Sequence, residues 1–127
     1  MNDWYEDLRP TEPQIPVRDL SITEILPLDE INFDMSSSFG AKCSNVATMR
    51  TFGLPSGTIP DGFGIPFYYY DEFMQFNNFY EEAQVMIDNS VFQNDINFRI
   101  QRLKDFRRDI KDAPMPQWML DDLQSMH

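Results

Sequence analysis

The stretch from Ser36 to Pro66, SSSFGAKCSNVATMRTFGLPSGTIPDGFGIP, decides how the chain is read. Within about thirty residues it holds a glycine turn, a short helix that begins on a lysine, a second turn of glycine and proline, and a strand pattern, which together read as one compact unit and not as a linker. Ser36, Ser37 and Ser38 offer N-cap hydroxyls. Val46, Met49 and Phe52 recur at helical spacing, and Gly53 is the residue type that most cheaply takes the left-handed position after a helix. The pattern predicts a helix over 40–52. Lys42 then falls in the first turn, where unpaired N–H groups and the positive end of the dipole disfavour a cation by about 0.3–1 kcal/mol. A docked anion reverses that sign: Gly40 lets it approach the backbone, and Lys42 adds a mobile charge. An ordinary exposed lysine meets the same pattern, and on spacing alone it is the commoner outcome.

On either side of the helix the chain reads as extended. Leu20, Ile22, Ile25, Leu26, Leu28 and Ile31 are broken by Pro27 and by the pair Asp29 and Glu30, which suggests a short strand, a turn and a second extended piece. Adjacent carboxylates on an extended chain face opposite ways, so Asp29 and Glu30 read as a solvated turn and not as a catalytic pair. Leu54 to Asp61, with Pro55, Gly57 and Pro60, reads as a loop. Phe63, Ile65 and Phe67 alternate as a short buried strand, and Gly62 allows close approach of backbone or nucleotide. Two strands joined by one helix imply a parallel pair with a crossover.

Beyond residue 67 the pattern turns helical. Tyr69, Phe73, Phe76 and Tyr80 recur at helical intervals, with Asp71 and Glu72 suited to a first turn. The aromatic run invites a base-stacking platform, but no basic residue lies between Phe67 and Asn89, so core packing is the better reading. Asn77 and Asn78 interrupt this helix, which resumes to Asp88 and Asn89. A third helix starts at the cap Asp95 and runs through Ile96, Ile100, Leu103, Phe106 and Ile110. Its other face mixes Arg99, Arg102, Lys104, Arg107, Arg108 and Lys111 with Asp105, Asp109 and Asp112. That face reads as solvated, and it is also the most basic surface available for docking an acidic neighbour. Pro114 and Pro116 end the helix, and Trp118, Met119 and Leu123 begin a last one.

Composition bounds the function classes. The chain's 127 residues suffice for one domain, and 42% apolar with 14% aromatic residues is a globular composition. Met1 to Pro16, with Pro10, Pro13 and Pro16, reads as a loosely held arm. A net charge of −11 argues against nucleic acid and anionic lipid as partners. No apolar run approaches the length of a membrane span. One cysteine excludes an internal disulfide and suits a reducing cytoplasm, and with one histidine it cannot build a nitrogen and sulfur metal site. No catalytic residue and no metal ligand is assigned within the chain.

Gly40-Ala41-Lys42-Cys43-Ser44-Asn45-Val46-Ala47-Thr48-Met49, followed by Pro60-Asp61-Gly62-Phe63-Gly64-Ile65-Pro66 and an aromatic helix, resembles the start of the nucleotide-binding domain of the phosphoenolpyruvate synthase and pyruvate phosphate dikinase family. Leu20 to Ile31 fits that family's lead-in strand, and Pro114-Met115-Pro116-Gln117-Trp118-Met119 resembles the end of its helical insertion. Ala41 stands in place of a second glycine, Val46 and Met49 in place of leucines, and Cys43 in place of a smaller residue. The family's arginine-serine-serine strand, its acidic metal-binding residues, its phosphohistidine domain and its phosphoenolpyruvate barrel do not occur, and His127 matches no family motif.

The resemblance implies an α+β or α/β fold, the first part of an ATP-grasp-like nucleotide-binding domain: a small sheet with one crossover helix over 17–67 and a three- to four-helix subdomain over 68–127, after an N-terminal arm over 1–16. It implies Lys42 as a phosphate contact and Gly40 as the point of backbone access. The cofactors implied are ATP and magnesium (Mg2+). The activity implied is phosphoryl transfer through a histidine to pyruvate, or back from phosphoenolpyruvate, in a larger cytoplasmic enzyme whose remaining domains are the partners of this chain. The chain alone is then inactive, and its uncovered face self-associates. The alternative is a non-catalytic interaction module that keeps the fold without the reaction.

Overall fold

The structure, a computed structural model, describes residues 8–12 and 15–126. Most of the arm over 1–16 and His127 lie outside the described residues. The elements in order are strand β1 (Leu26–Pro27), helices α1 (Ser36–Phe39) and α2 (Ala41–Met49), strand β2 (Phe63–Gly64), and helices α3 (Phe67–Phe76), α4 (Phe79–Asp88), α5 (Ser90–Asn94), α6 (Ile96–Asp112) and α7 (Gln117–Gln124). This is a mostly helical α+β arrangement.

The sheet corrects the expected topology. β1 and β2 pair antiparallel, with Leu26 opposite Gly64 and Pro27 opposite Phe63, so α2 is no crossover between parallel strands. The N–H of Leu28 donates to the carbonyl of Gly62 at 2.9 Å and lengthens the ladder by one bond. The physical reason lies after α2. A 3-10 turn at Arg50–Phe52 ends on Gly53 in the left-handed conformation (φ 67°, ψ 26°), and the proline-rich loop returns the chain head to tail. Antiparallel pairing then needs no crossover.

The lysine helix forms close to its expected bounds, but its buried face differs. Ser36 to Ser38 are not its caps; they form α1, and the N-cap of α2 is Gly40 (φ 83°, ψ 151°). Val46, Met49 and Phe52, whose spacing predicts the helix, are exposed, whereas Ser44 and Ala47 are buried. Small side chains on the inner face let the α2 backbone approach Leu28, Ile31 and Phe39, which with Ala47 form the core of this part. The lead-in segment holds the short strand β1 and the 3-10 turn Leu28–Glu30, as the sequence suggests, and ahead of β1 it is docked by Asp19. Its carboxylate accepts from the Ser21 N–H at 2.9 Å and from the Ser38 hydroxyl at 2.8 Å, and its own N–H donates to the Ser37 carbonyl at 3.0 Å.

Phe63 and Ile65 are 51% and 48% exposed, and Phe67 opens α3 instead of closing a strand, so the expected buried strand reduces to a two-residue bridge. Asp71 and Glu72 consequently sit in the second turn of α3. Asn78 takes the left-handed conformation (φ 57°) and separates α3 from α4, as the asparagine pair suggests. Asn89 caps α5, a short helix the sequence reading does not separate, by accepting from the N–H groups of Val91 and Phe92. Asp95 caps α6 in the same way through Asn97 and Phe98. Of the aromatic run Tyr69 is buried, Phe73 is half-buried, and Phe76 and Tyr80 are exposed; Phe79 is buried between Phe73 and Phe106, with centroids 6.0 and 5.7 Å away.

Candidate functional site

Gly40 separates α1 from α2 with a backbone conformation that is almost exclusive to glycine. Its N–H is used by the Ser36 carbonyl, and its carbonyl accepts the first helical bond from the Ser44 N–H at 3.1 Å. Among the described residues no side chain caps α2, so the N–H groups of its first turn have no side-chain acceptor there, and the Phe67 ring packs beside Gly40, 3.5 Å from where a Cβ would stand. Lys42 is the second residue of this turn. It is exposed, and among the described residues its ammonium makes no hydrogen bond or ion pair. Gly40 and Lys42 are thus brought together at one end of one helix, as the sequence suggests. Chemically the arrangement offers backbone N–H donors and one ammonium charge, groups that suit an anion. Burial pushes the Cys43 thiol up, so it is protonated at neutral pH. Ser44 is fully buried and its hydroxyl has no partner among the described residues, but two positions from Lys42 on a helix is about 200° around the axis, so it belongs to the opposite, core-facing side. Ser44→Ala is expected to raise stability by about 1 kcal/mol in urea melts, because it removes an unsatisfied polar group; a loss would show that the hydroxyl is satisfied in solution.

At the other end of α2 sits a residue that the sequence reading passed over. Arg50 grips Asp29 with two bonds, Nε to Oδ1 at 2.6 Å and Nη2 to Oδ2 at 3.1 Å, and donates through Nη1 to the Pro60 carbonyl at 2.8 Å. Asp61 lies 3.4 Å from Nη2. The guanidinium fork therefore ties the turn after β1 to the end of α2 and to the returning loop. Asp29 and Glu30 are exposed in the 3-10 turn Leu28–Glu30, as the sequence suggests, but the Asp29 carboxylate is held by Arg50; the signal for this was an arginine just before the helix-ending Gly53. Eight positions separate Arg50 from Lys42, about 12 Å along the axis, so the two cannot share one phosphate group.

The Arg50 guanidinium holds the Asp29 carboxyl below its ordinary 3.8, and the Ser21 N–H does the same for Asp19. A depressed carboxyl contributes stability above its unfolded pKa and loses it as pH falls through the folded value. The thermal midpoint is expected to drop below pH 3.8, and Asp29→Asn to flatten part of that drop. Parallel pH profiles for wild type and variant would contradict the clamp. At the alkaline end burial, aided by the bond to Asp71, pushes Tyr80 up to about 12, so its stabilisation is complete below pH 10 and is lost towards 12.

Exposed aromatics on α3 do not form an open stacking platform. Arg18, from the lead-in segment, lies over Tyr70 and Phe67 with its guanidinium carbon 5.4 and 6.0 Å from the ring centroids, and donates to the Tyr80 oxygen at 3.3 Å. Tyr80 in turn donates to Asp71 at 2.7 Å. The chain supplies its own cation to these rings.

Four surface grooves are lined by other parts of the chain, and Lys42 and Gly40 line none of them. Among the described residues no group of three or more His, Cys, Asp or Glu is placed to hold a metal ion, and no helix is long and apolar enough to cross a membrane. Comparison with known proteins finds no matching family model, no matching curated protein and no matching solved structure.

Proposed function

We propose that the chain is the first part of an ATP-grasp-like nucleotide-binding domain, in an ATP-dependent phosphotransferase similar to phosphoenolpyruvate synthase and pyruvate phosphate dikinase. One observation carries the reading: α2 begins with no side-chain cap, with a positive-φ glycine in front of it and an exposed, unpartnered lysine in its first turn. These groups fit a phosphate, which gains from the N–H donors, from the helix dipole and from a charge-assisted bond to Lys42. They do not extend to magnesium, since no acidic cluster accompanies them among the described residues.

In this reading the chain binds and orients a nucleotide phosphate. Transfer of the phosphoryl group through a histidine to pyruvate, or back, belongs to the remaining domains of a cytoplasmic enzyme, and these 127 residues alone turn over nothing. The units are then 17–67, with the lysine helix, and the helical 68–127. A non-catalytic interaction module is the second reading, favoured by the exposed apolar residues of α4 to α6.

The test is Lys42→Ala in the protein that contains this chain. Lys42 reaches into solvent, so circular dichroism and the thermal midpoint should stay unchanged, while ATP affinity or turnover falls about tenfold or more. Unchanged ATP binding in the folded variant would refute the phosphate role.

A further inference from the structure

The largest of the four grooves, about 480 Å³, lies where distant parts of the chain meet: Thr23 and Glu24 just ahead of β1, Phe63 of β2, Tyr69 of α3, and Asp122 and Ser125 at the end of α7. The Tyr69 hydroxyl fastens this meeting point by donating to Asp122 Oδ2 at 2.7 Å. A groove of this size suits a small organic molecule or the side chain of a partner.

Its polar groups favour positive charge. Glu24 and Asp122 are its charged lining residues, and no lysine, arginine or histidine lines it. Among the described residues neither carboxylate forms an ion pair. The Ser125 hydroxyl donates its proton to the Asp122 carbonyl at 2.7 Å, which leaves the Ser125 oxygen as an acceptor. Helix α7 ends here with Asp121 and Asp122 in its last turn and no basic residue, so its carboxylates stand at the negative end of the helix dipole. A bound cation reverses that repulsion. Burial raises the Tyr69 hydroxyl, and its bond to Asp122 and the Asp122 and Glu24 charges act in the same direction, so both carboxylates bear on one spot.

The same residues disfavour a metal ion. Two carboxylates fall short of the three or more acidic, histidine or cysteine groups that would hold one, and the apolar side chains of Ile25, Phe63 and Met126 line the groove beside them. An ammonium on an alkyl chain uses both kinds of surface. Its three N–H donors match the carboxylate and hydroxyl oxygens, its methylenes cover the apolar wall, and the half-exposed Phe63 ring adds a face that attracts positive charge.

We propose that this groove binds a primary ammonium carried on an alkyl chain, from a free diamine or from the lysine side chain of a partner, with Glu24 and Asp122 as its anionic contacts. The site shares no residue with the start of α2 and does not depend on the nucleotide reading.

The test follows backbone amide shifts of the full chain as putrescine, the lysine derivative Nα-acetyl-lysine amide, neutral butanediol and magnesium chloride are added separately at constant pH and ionic strength. Saturable shifts are expected at Glu24, Phe63, Asp122 and Ser125 with putrescine, with the lysine derivative or with both; each of these results supports the site, and the probe that responds names the source. Butanediol should leave those amides unmoved. Glu24 is exposed, so Glu24→Gln should stay folded by circular dichroism, and Asp122→Asn keeps an oxygen to accept from Tyr69. Each variant is expected to weaken amine binding about two- to fivefold. No saturable shift with either amine, an equal response to butanediol or magnesium chloride, or an affinity unchanged in both variants would each overturn the proposal.

Discussion

Gly64→Val is expected to unfold the protein. Gly64 is buried in β2 opposite Leu26, and a Cβ placed on it would lie 2.9 Å from both Cys43 Sγ and the Phe39 ring, and closer still to Ile31 Cδ1. Ile31 follows the turn after β1, Phe39 ends α1 and Cys43 lies on α2, so three segments converge on one spot and relief for one pushes on another. One added methyl in such a place costs about 1–3 kcal/mol, and valine adds three carbons, against a total stability of about 5–15 kcal/mol for a domain. Gly62→Ala is the control: its Cβ would meet only Leu28 Cδ1, at an ordinary 3.6 Å. Urea melts should show the Gly62 variant close to wild type and the Gly64 variant without a cooperative transition. A native-like transition for Gly64→Val would mean that the β2 backbone is not pressed against α2.

Tyr69→Ala is expected to cost about 3–5 kcal/mol, since it removes a buried ring at the junction of α3 and α7. The ring meets Trp118 at 5.2 Å and Tyr68 at 6.3 Å between centroids, and the hydroxyl donates to Asp122 at 2.7 Å. Tyr69→Phe separates the two contributions. It keeps the ring and loses one hydrogen bond to an exposed carboxylate, so about 1 kcal/mol is expected. Burial raises the Tyr69 hydroxyl well above its ordinary pKa, consistent with a proton held inside this junction. Equal costs for the two variants would show that the bond to Asp122, and not the ring, fixes α7.

The helices were legible because their signals are local. Gly53 and Asp95 act within one turn of their own positions, and the asparagine pair at 77–78 stops one helix and lets another begin. Strand direction was not legible in the same way. β1 and β2 are two residues each, too short for alternation to register, and their orientation depends on where the loop after Gly53 delivers the chain. The inner face of α2 was misread because Val46 and Met49 outweigh Ser44 and Ala47 in any hydrophobic pattern, whereas close packing against Phe39 and Ile31 selects the smaller pair. Gly62 was given the close approach that belongs to Gly64, two positions on, since glycine spacing does not say which Cβ would collide. At the site, Lys42 and Gly40 stand as their spacing suggests; the clamp of Arg50 on Asp29 joins positions 21 residues apart and leaves no periodic trace.

The claim that the start of α2 holds a phosphate is tested most directly by mapping backbone amide shifts in the 127-residue chain as ATP, and separately tripolyphosphate, is added. With only one lysine and one helix end to grip the ligand, binding should be weak, and the largest shifts should fall on Ala41, Lys42 and Cys43 for both ligands. Lys42→Ala should shrink those shifts with the rest of the spectrum unchanged. Shifts centred on the basic helix α6 instead, or shifts at Ala41 to Cys43 that are unaffected by Lys42→Ala, would contradict it.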